Sequence, residues 1–190
     1  MLLHRPFYFL RHGETEWNVD GRAQGQADIP LNETGVAQAK RAAEIVKGLG
    51  IATICTSPLS RAYETARMSA EAAGLPLNVI DDLKECSFGE AEGRQRGEWI
   101  SDFWRKGIVP EGAEPFPEFL ARALRGINTA LEMDGPVLIV AHAGVYRCVL
   151  HYTEIPPMGV TPNAVPIRHE PPNATMPGWA AEVLTSDESR

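Results

Sequence analysis

Val137-Leu138-Ile139-Val140-Ala141, running into His142-Ala143-Gly144, is the most regular apolar run in the chain. Five consecutive apolar residues without alternation fit a strand covered on both faces, as in a parallel sheet between helices. The same grammar repeats outward. Phe7-Tyr8-Phe9-Leu10 is a short aromatic and apolar run, and residues 51–55 and 77–80 read as further strands. Residues 33–47 place Val36, Ala39, Ala43 and Val46 on one helical stripe, with Asn32 as N-cap and Gly48 at the end. Residues 58–73 predict a helix closed by Gly74, and residues 116–133 and 145–153 predict helices on either side of strand 137–141. Alternating strands and helices define the class: α/β, a three-layer α/β/α sandwich around a mostly parallel central sheet.

Two stretches break that rhythm. Residues 86–115 carry five glycines among Trp99, Phe103 and Trp104, and predict an excursion off the sheet that serves as a lid. There Trp99 and Trp104 read as local core rather than as a substrate stack. Residues 155–178 hold seven prolines and cannot be a central strand throughout. Short terminal strands are expected at 163–169 and 179–184, and fraying at 186–190. With 190 residues and no internal repeat, one domain over residues 1–190 is expected.

Composition narrows the function. Apolar residues make up 44% and charged residues 23%, as in soluble globular chains. A net charge of −7 argues against nucleic acid and anionic membranes as partners. A small anion remains possible, because a pocket can be locally basic on an acidic protein. Cys55, Cys86 and Cys148 are odd in number and form no CxxC, so they read as reduced thiols in the cytoplasm. No signal peptide or membrane span is visible, and the expected state is a monomer or homodimer.

The chemistry concentrates at strand ends. His12 follows strand 7–10 and His142 follows strand 137–141, each beside small residues. Ligands of open α/β sheets bind beyond the carboxyl ends of the strands, so both imidazoles enter one crevice if the strands are neighbours. Arg11 adjoins His12, and Arg61 lies in the first turn of the helix after strand 51–55. Guanidinium forks match phosphate oxygens, and helix N-terminal amides add donors. A neutral imidazole can attack phosphorus, with two arginines and a second histidine balancing the charge. No EF-hand loop, HExxH or P-loop occurs, so neither metal nor cofactor is called for.

Phe9-Leu10-Arg11-His12-Gly13-Glu14-Thr15-Glu16-Trp17-Asn18 resembles the signature of the histidine phosphatase superfamily, also called phosphoglycerate mutase-like. Gln24-Gly25 with Asp28-Ile29-Pro30-Leu31, Thr56-Ser57-Pro58-Leu59-Ser60-Arg61-Ala62, Leu83-Lys84-Glu85-Cys86-Ser87-Phe88-Gly89, and Ala141-His142-Ala143-Gly144-Val145 follow in the family's order. The resemblance spans about residues 7–150, with Asn163-Ala164 as a possible extension. It implies His12 as phosphorylated nucleophile and Glu85 as proton donor and acceptor. Arg11, Arg61, His142 and Asn18 would bind the phosphoryl group, and Gln24 and Ala143 would contact substrate. Glu14 and Glu16 are expected to be structural. Ala91 and Ala143 stand where many members have an aromatic residue and a glycine.

The implied activity is metal-independent hydrolysis of a small phosphorylated metabolite. Phosphoglycerate mutase-type transfer and a non-catalytic phospho-ligand binding module are the alternatives. Hydrolysis is preferred because residues 86–115 must supply the whole lid, where Arg105-Lys106 is the only adjacent basic pair. That is a thin basis for a second anion clamp.

Overall fold

The computed structural model describes residues 1–157 and 159–185. The expected fraying at 186–190 lies outside the described residues. Six strands form one sheet: β1 (Phe7–Arg11), β2 (Thr53–Thr56), β3 (Leu77–Val79), β4 (Val137–Ala141), β5 (Pro166–Glu170) and β6 (Ala180–Val183). Their spatial order is β3-β2-β4-β1-β5-β6. The four from β3 to β1 are parallel, and β5 and β6 add an antiparallel edge. Among the described residues the α-helices are α1 (Glu16–Val19), α2 (Glu33–Lys47), α3 (Ser60–Ala73), α4 (Glu98–Lys106), α5 (Phe116–Leu131) and α6 (Ala143–Thr153).

The layers follow from side-chain alternation. Leu10, Ile54, Leu138 and Val140 point to one face, where Ala42 and Val46 of α2 and Ala66 and Ala70 of α3 cover them. Phe7, Phe9, Val137 and Ile139 point to the other face, against Phe119, Ala123 and Ile127 of α5 and Val145 and Val149 of α6. Every residue of β4 is buried, which is why its sequence shows no alternation.

Local signals set most boundaries. The Asn32 side chain accepts from Gly35 N at 2.7 Å and opens α2. Gly74 ends α3 at φ +67°, a left-handed conformation that costs glycine little. Most expected elements are trimmed or extended by a few residues, three of them for a visible reason. Strand 51–55 starts only at Thr53, because the Ala52 and Thr53 amides both donate to Pro136 O. Helix 58–73 starts at Ser60, with Leu59 extended at its cap. Helix 145–153 starts at Ala143, because His142 itself is the N-cap.

The two irregular stretches resolve differently. Residues 86–115 carry a 3₁₀ turn and α4, whose Phe103 is buried against Phe88 and Trp104. The proline-rich stretch crosses the end of the sheet before Pro166 opens β5 at a strand's first position, where a missing N–H is tolerated. All three cysteines are buried and unbridged. No described helix is long and apolar enough to cross a membrane.

Candidate active site

β1 and β4 are adjacent and parallel, with Arg11 opposite Ala141. The His12 amide extends the ladder by donating to Ala141 O at 3.0 Å. The two histidines therefore leave the same edge side by side, with ring centroids 5.3 Å apart. β2 lies on the other side of β4, which sets Ser57 beside His142, Oγ to Nε2 at 2.8 Å.

His12 Nδ1 lies 2.6 Å from Gly13 O. A carbonyl only accepts, so Nδ1 carries the hydrogen and the Nε2 lone pair is left free. Burial pulls the His12 pKa well below the ordinary histidine value, and the Arg61 and Arg11 charges pull it further. The ring is neutral at physiological pH. Its backbone is clamped: Asn163 Nδ2 donates to His12 O at 2.8 Å, and Gly13 N donates to Thr65 Oγ1 at 3.0 Å. Gly13 also packs against the backbone of Gly35, where a Cβ would collide.

The arginines are held by carbonyls rather than carboxylates. Arg11 donates to Thr161 O at 2.6 Å, and Arg61 donates to Gly25 O at 2.8 Å and Ala27 O at 2.9 Å. Each keeps a buried Nε without a protein partner. Burial pushes the Arg11 pKa down to about 10 and also lowers Arg61, with Glu85 opposing in both cases. Both stay charged at neutral pH. Carbonyl anchoring fixes the forks without neutralising them, as an anion site requires.

Glu85 sits across the cavity floor. Its two oxygens accept from Gly144 N and Cys86 N, each at 2.9 Å. Burial raises its pKa above the ordinary carboxyl value, against those bonds and the Arg61 and Arg11 charges. Gly144 is required at close quarters, since a Cβ there would fall on the Glu85 carboxylate.

Arg11, His12, Asn18, Gln24, Arg61, Glu85 and Ala143 all line one cavity of about 810 Å³. Gln24 is buried with Oε1 unpartnered. The Asn18 Oδ1 is taken up by Thr15 in the capping box of α1, so its free contribution is the amino group. His142 is not on the cavity wall but stands fully buried behind His12. Burial, then Arg61, His12 and Arg11, pull its pKa well below the ordinary value, so the ligand-free site holds it neutral. The expectation of a second cationic histidine is corrected to that extent. Glu14 accepts from Asn32 Nδ2 at 3.0 Å.

The expectation that residues 86–115 supply the whole lid is also corrected. The described part of 154–161 lines the cavity as well, and α6 contributes Arg147, Leu150 and His151. Lys106 is spent on Asp102 at 2.8 Å and does not line the cavity. Trp104 is both a member of the Phe88–Phe103 aromatic cluster and part of the cavity wall.

Sequence reasoning missed Ser57, Gly144 and Arg122. Ser57 could have been found, since it is the residue just past the end of a central strand. Arg122 had no local signal, being one arginine inside α5. Its guanidinium binds both Glu114 oxygens at 2.8 and 2.7 Å, and donates to Asp82 O, Lys84 O and Glu85 O at 2.9, 3.0 and 3.1 Å. This one planar fork fixes the backbone that carries Glu85. Arg122→Lys keeps the charge but not the fork. It is expected to lower kcat about tenfold or more while KM changes little, because a misplaced group costs rate. Steady-state kinetics, with a thermal melt to separate stability, check this.

Two buried cationic forks, a neutral histidine with a free nitrogen and a raised carboxyl thus meet at the end of the parallel sheet of an α/β protein, an arrangement suited to an anion. The chain belongs to the histidine phosphatase superfamily (branch 1), which it matches over residues 7–164. It is 40% identical over 148 residues to an uncharacterized phosphatase, PhoE, of Bacillus subtilis (strain 168), covering 77% of this chain and 75% of that one. It is 36% identical over 155 residues to a probable phosphoglycerate mutase, GpmB, of Proteus mirabilis (strain HI4320), covering 75% and 72%. Mycobacterial glucosyl-3-phosphoglycerate phosphatase complexed with VO3 superposes with a TM-score of 0.79 at 29% identity, over 94% of this chain and 98% of that one.

Proposed function

We propose that this chain hydrolyses a small phosphomonoester through phospho-His12, without a metal ion. One observation carries the reading. A single cavity holds a histidine whose pKa is pushed down and a carboxyl whose pKa is pushed up. Groups driven apart in this way mark nucleophile and acid.

The phosphoryl group of the substrate sits between the Arg11 and Arg61 forks, with Asn18 as a further donor. The His12 Nε2 lone pair forms an N–P bond as the ester P–O bond breaks. The Glu85 proton goes to the leaving oxygen, so the alcohol departs neutral. Water then attacks phosphorus and gives its proton to the Glu85 carboxylate. The N–P bond breaks, its electron pair returns to Nε2, and phosphate leaves. The arginines balance charge on the equatorial oxygens throughout.

Water, rather than a second substrate hydroxyl, is the favoured acceptor. A cavity of about 810 Å³ is far larger than a phosphoryl group and leaves room for water beside a small alcohol. A mutase must keep water from its phosphohistidine. Supplied with 3-phosphoglycerate and catalytic 2,3-bisphosphoglycerate, the enzyme is expected to release phosphate faster than it forms 2-phosphoglycerate. Rapid isomerisation with negligible phosphate release would instead establish the mutase reading.

A further inference from the structure

The cavity is far more basic than the protein around it. Arg11, Arg22, Arg61, Arg96, Arg105 and Arg147 all line it, against Glu85 and Glu154, in a chain of net charge −7. Four of the six arginines are accounted for. Arg11 and Arg61 are held by carbonyls at the phosphoryl end. Arg96 donates to Gly21 O and Asn18 O, and Arg22 pairs with Asp20.

Arg105 and Arg147 are different. Among the described residues neither makes an ion pair, and neither donates a side-chain hydrogen bond. Arg147 is placed only by the face of Trp104, with its guanidinium 4.8 Å from the ring centre. That ring is fixed in turn, edge-on to Phe116 at 5.8 Å and to Phe103 at 4.7 Å. Arg105 is close enough to depress the Arg147 pKa, an effect opposed by Glu85 and smaller than that of burial. Two like charges therefore share one wall of the cavity. The nearby Glu154 pairs with neither.

Helix α6 supplies the ruler. Ala143, Gly144, Arg147 and His151 line the cavity from one face, at intervals of three and four residues. Ala143 and Gly144 touch the phosphoryl end. At about 1.5 Å per residue, Arg147 stands about 6 Å further along the axis, and its side chain carries the charge outward.

We propose that Arg105 and Arg147 form a second anion subsite, so that the preferred substrate is a phosphomonoester whose alcohol carries a carboxylate or a second phosphate. This rests on the reading of Arg11 and Arg61 as the phosphoryl site. The carbon skeleton between the two anions lies along Trp104, Phe116 and Leu150. Arg105-Lys106 alone is a thin basis for such a clamp, and Lys106 is spent on Asp102; the partner of Arg105 comes from α6.

Equilibrium binding tests the subsite without needing turnover. Isothermal titration compares n-alkylphosphonates with ω-phosphonoalkanoates and α,ω-bisphosphonates of matched length, with roughly two to six methylenes. In the wild-type protein, one chain length should bind at least about tenfold more tightly with the second anion than without it, as charge-assisted bidentate pairing requires. Arg147→Met and Arg105→Met should each remove most of that gain. Both side chains are solvent-facing, and a thermal melt checks that the variants fold. The carboxylate and phosphonate arms show which anion fits. Equal affinity at every length, a gain retained in the double variant, or no binding of any phosphonate would overturn the proposal. Tight two-anion binding with no hydrolysis of the corresponding esters would leave the subsite standing and remove the phosphatase reading instead.

Discussion

His12→Ala is expected to abolish turnover, with kcat falling by on the order of 10⁴ to 10⁶, as when other covalent enzymes lose their nucleophile. Its Nε2 is the free lone pair of an imidazole in the cavity that the Arg11 and Arg61 forks also line. His142 cannot substitute, because its Nε2 is engaged by Ser57 and its ring lies behind the cavity wall. The variant should stay folded. Among the described residues the His12 ring hydrogen-bonds only to its own neighbour, Gly13, and the clamps on this segment run through the backbone. A change of about 1 kcal/mol would move Tm by only about 2–4 °C in a chain of this size. Phosphate release and a melting curve measured together separate loss of chemistry from loss of fold.

Glu85→Gln has the second-largest expected effect. Gln fills the same space and can accept from Gly144 N or Cys86 N but not from both, so a melting curve accompanies the kinetics. It cannot protonate the leaving oxygen or take a proton from water. The loss should be about a hundred- to ten-thousandfold, or about 3–5.5 kcal/mol of barrier. Alkyl phosphates should suffer more than p-nitrophenyl phosphate, whose leaving group needs less protonation. The pH profile gives a second readout. His12 must be neutral to attack, and its pKa is pushed down, so the acid limb of kcat/KM should lie below the usual histidine range. Glu85 must be protonated in the first step, and its pKa is pushed up, so the alkaline limb should lie above the usual carboxyl range. Glu85→Gln should erase the alkaline limb and keep the acid one. Equal losses on both ester classes, with the profile unchanged, would take Glu85 out of the role.

The legible parts of this molecule are those with local causes. β4 and β1 are apolar runs because helices cover both their faces, and α2 is bounded by a side-chain cap and a glycine. His12, His142, Arg11 and Arg61 were readable because a parallel sheet sends its strand ends, and the helix starts that follow, to one edge. Arg122 was not readable, since Asp82, Lys84 and Glu85, whose carbonyls it holds, lie 37 to 40 residues earlier in the chain. The pairing of Arg105 with Arg147 was hidden for the same reason, and also because a cation–π contact leaves no periodic trace. The stretch 155–178 reads as proline-rich chain with a short strand at 163–169, and its composition does not say what it holds. Yet Thr161 holds Arg11, and Asn163 holds the His12 carbonyl, through single contacts about 150 residues apart in sequence. The buried, neutral state of His142 likewise follows from its surroundings and not from its neighbours in the chain.

The central claim is covalent phosphoryl transfer to His12. Rapid chemical quench of the wild-type enzyme with a ³²P-labelled monoester, followed by peptide mapping, tests it most directly. The account predicts a transient phosphoryl adduct, labile in acid and stable in base, on the peptide containing His12, which accumulates further in Glu85→Gln when an activated aryl phosphate is used. An adduct on another residue, or turnover with label never bound to protein on the millisecond timescale, would contradict it.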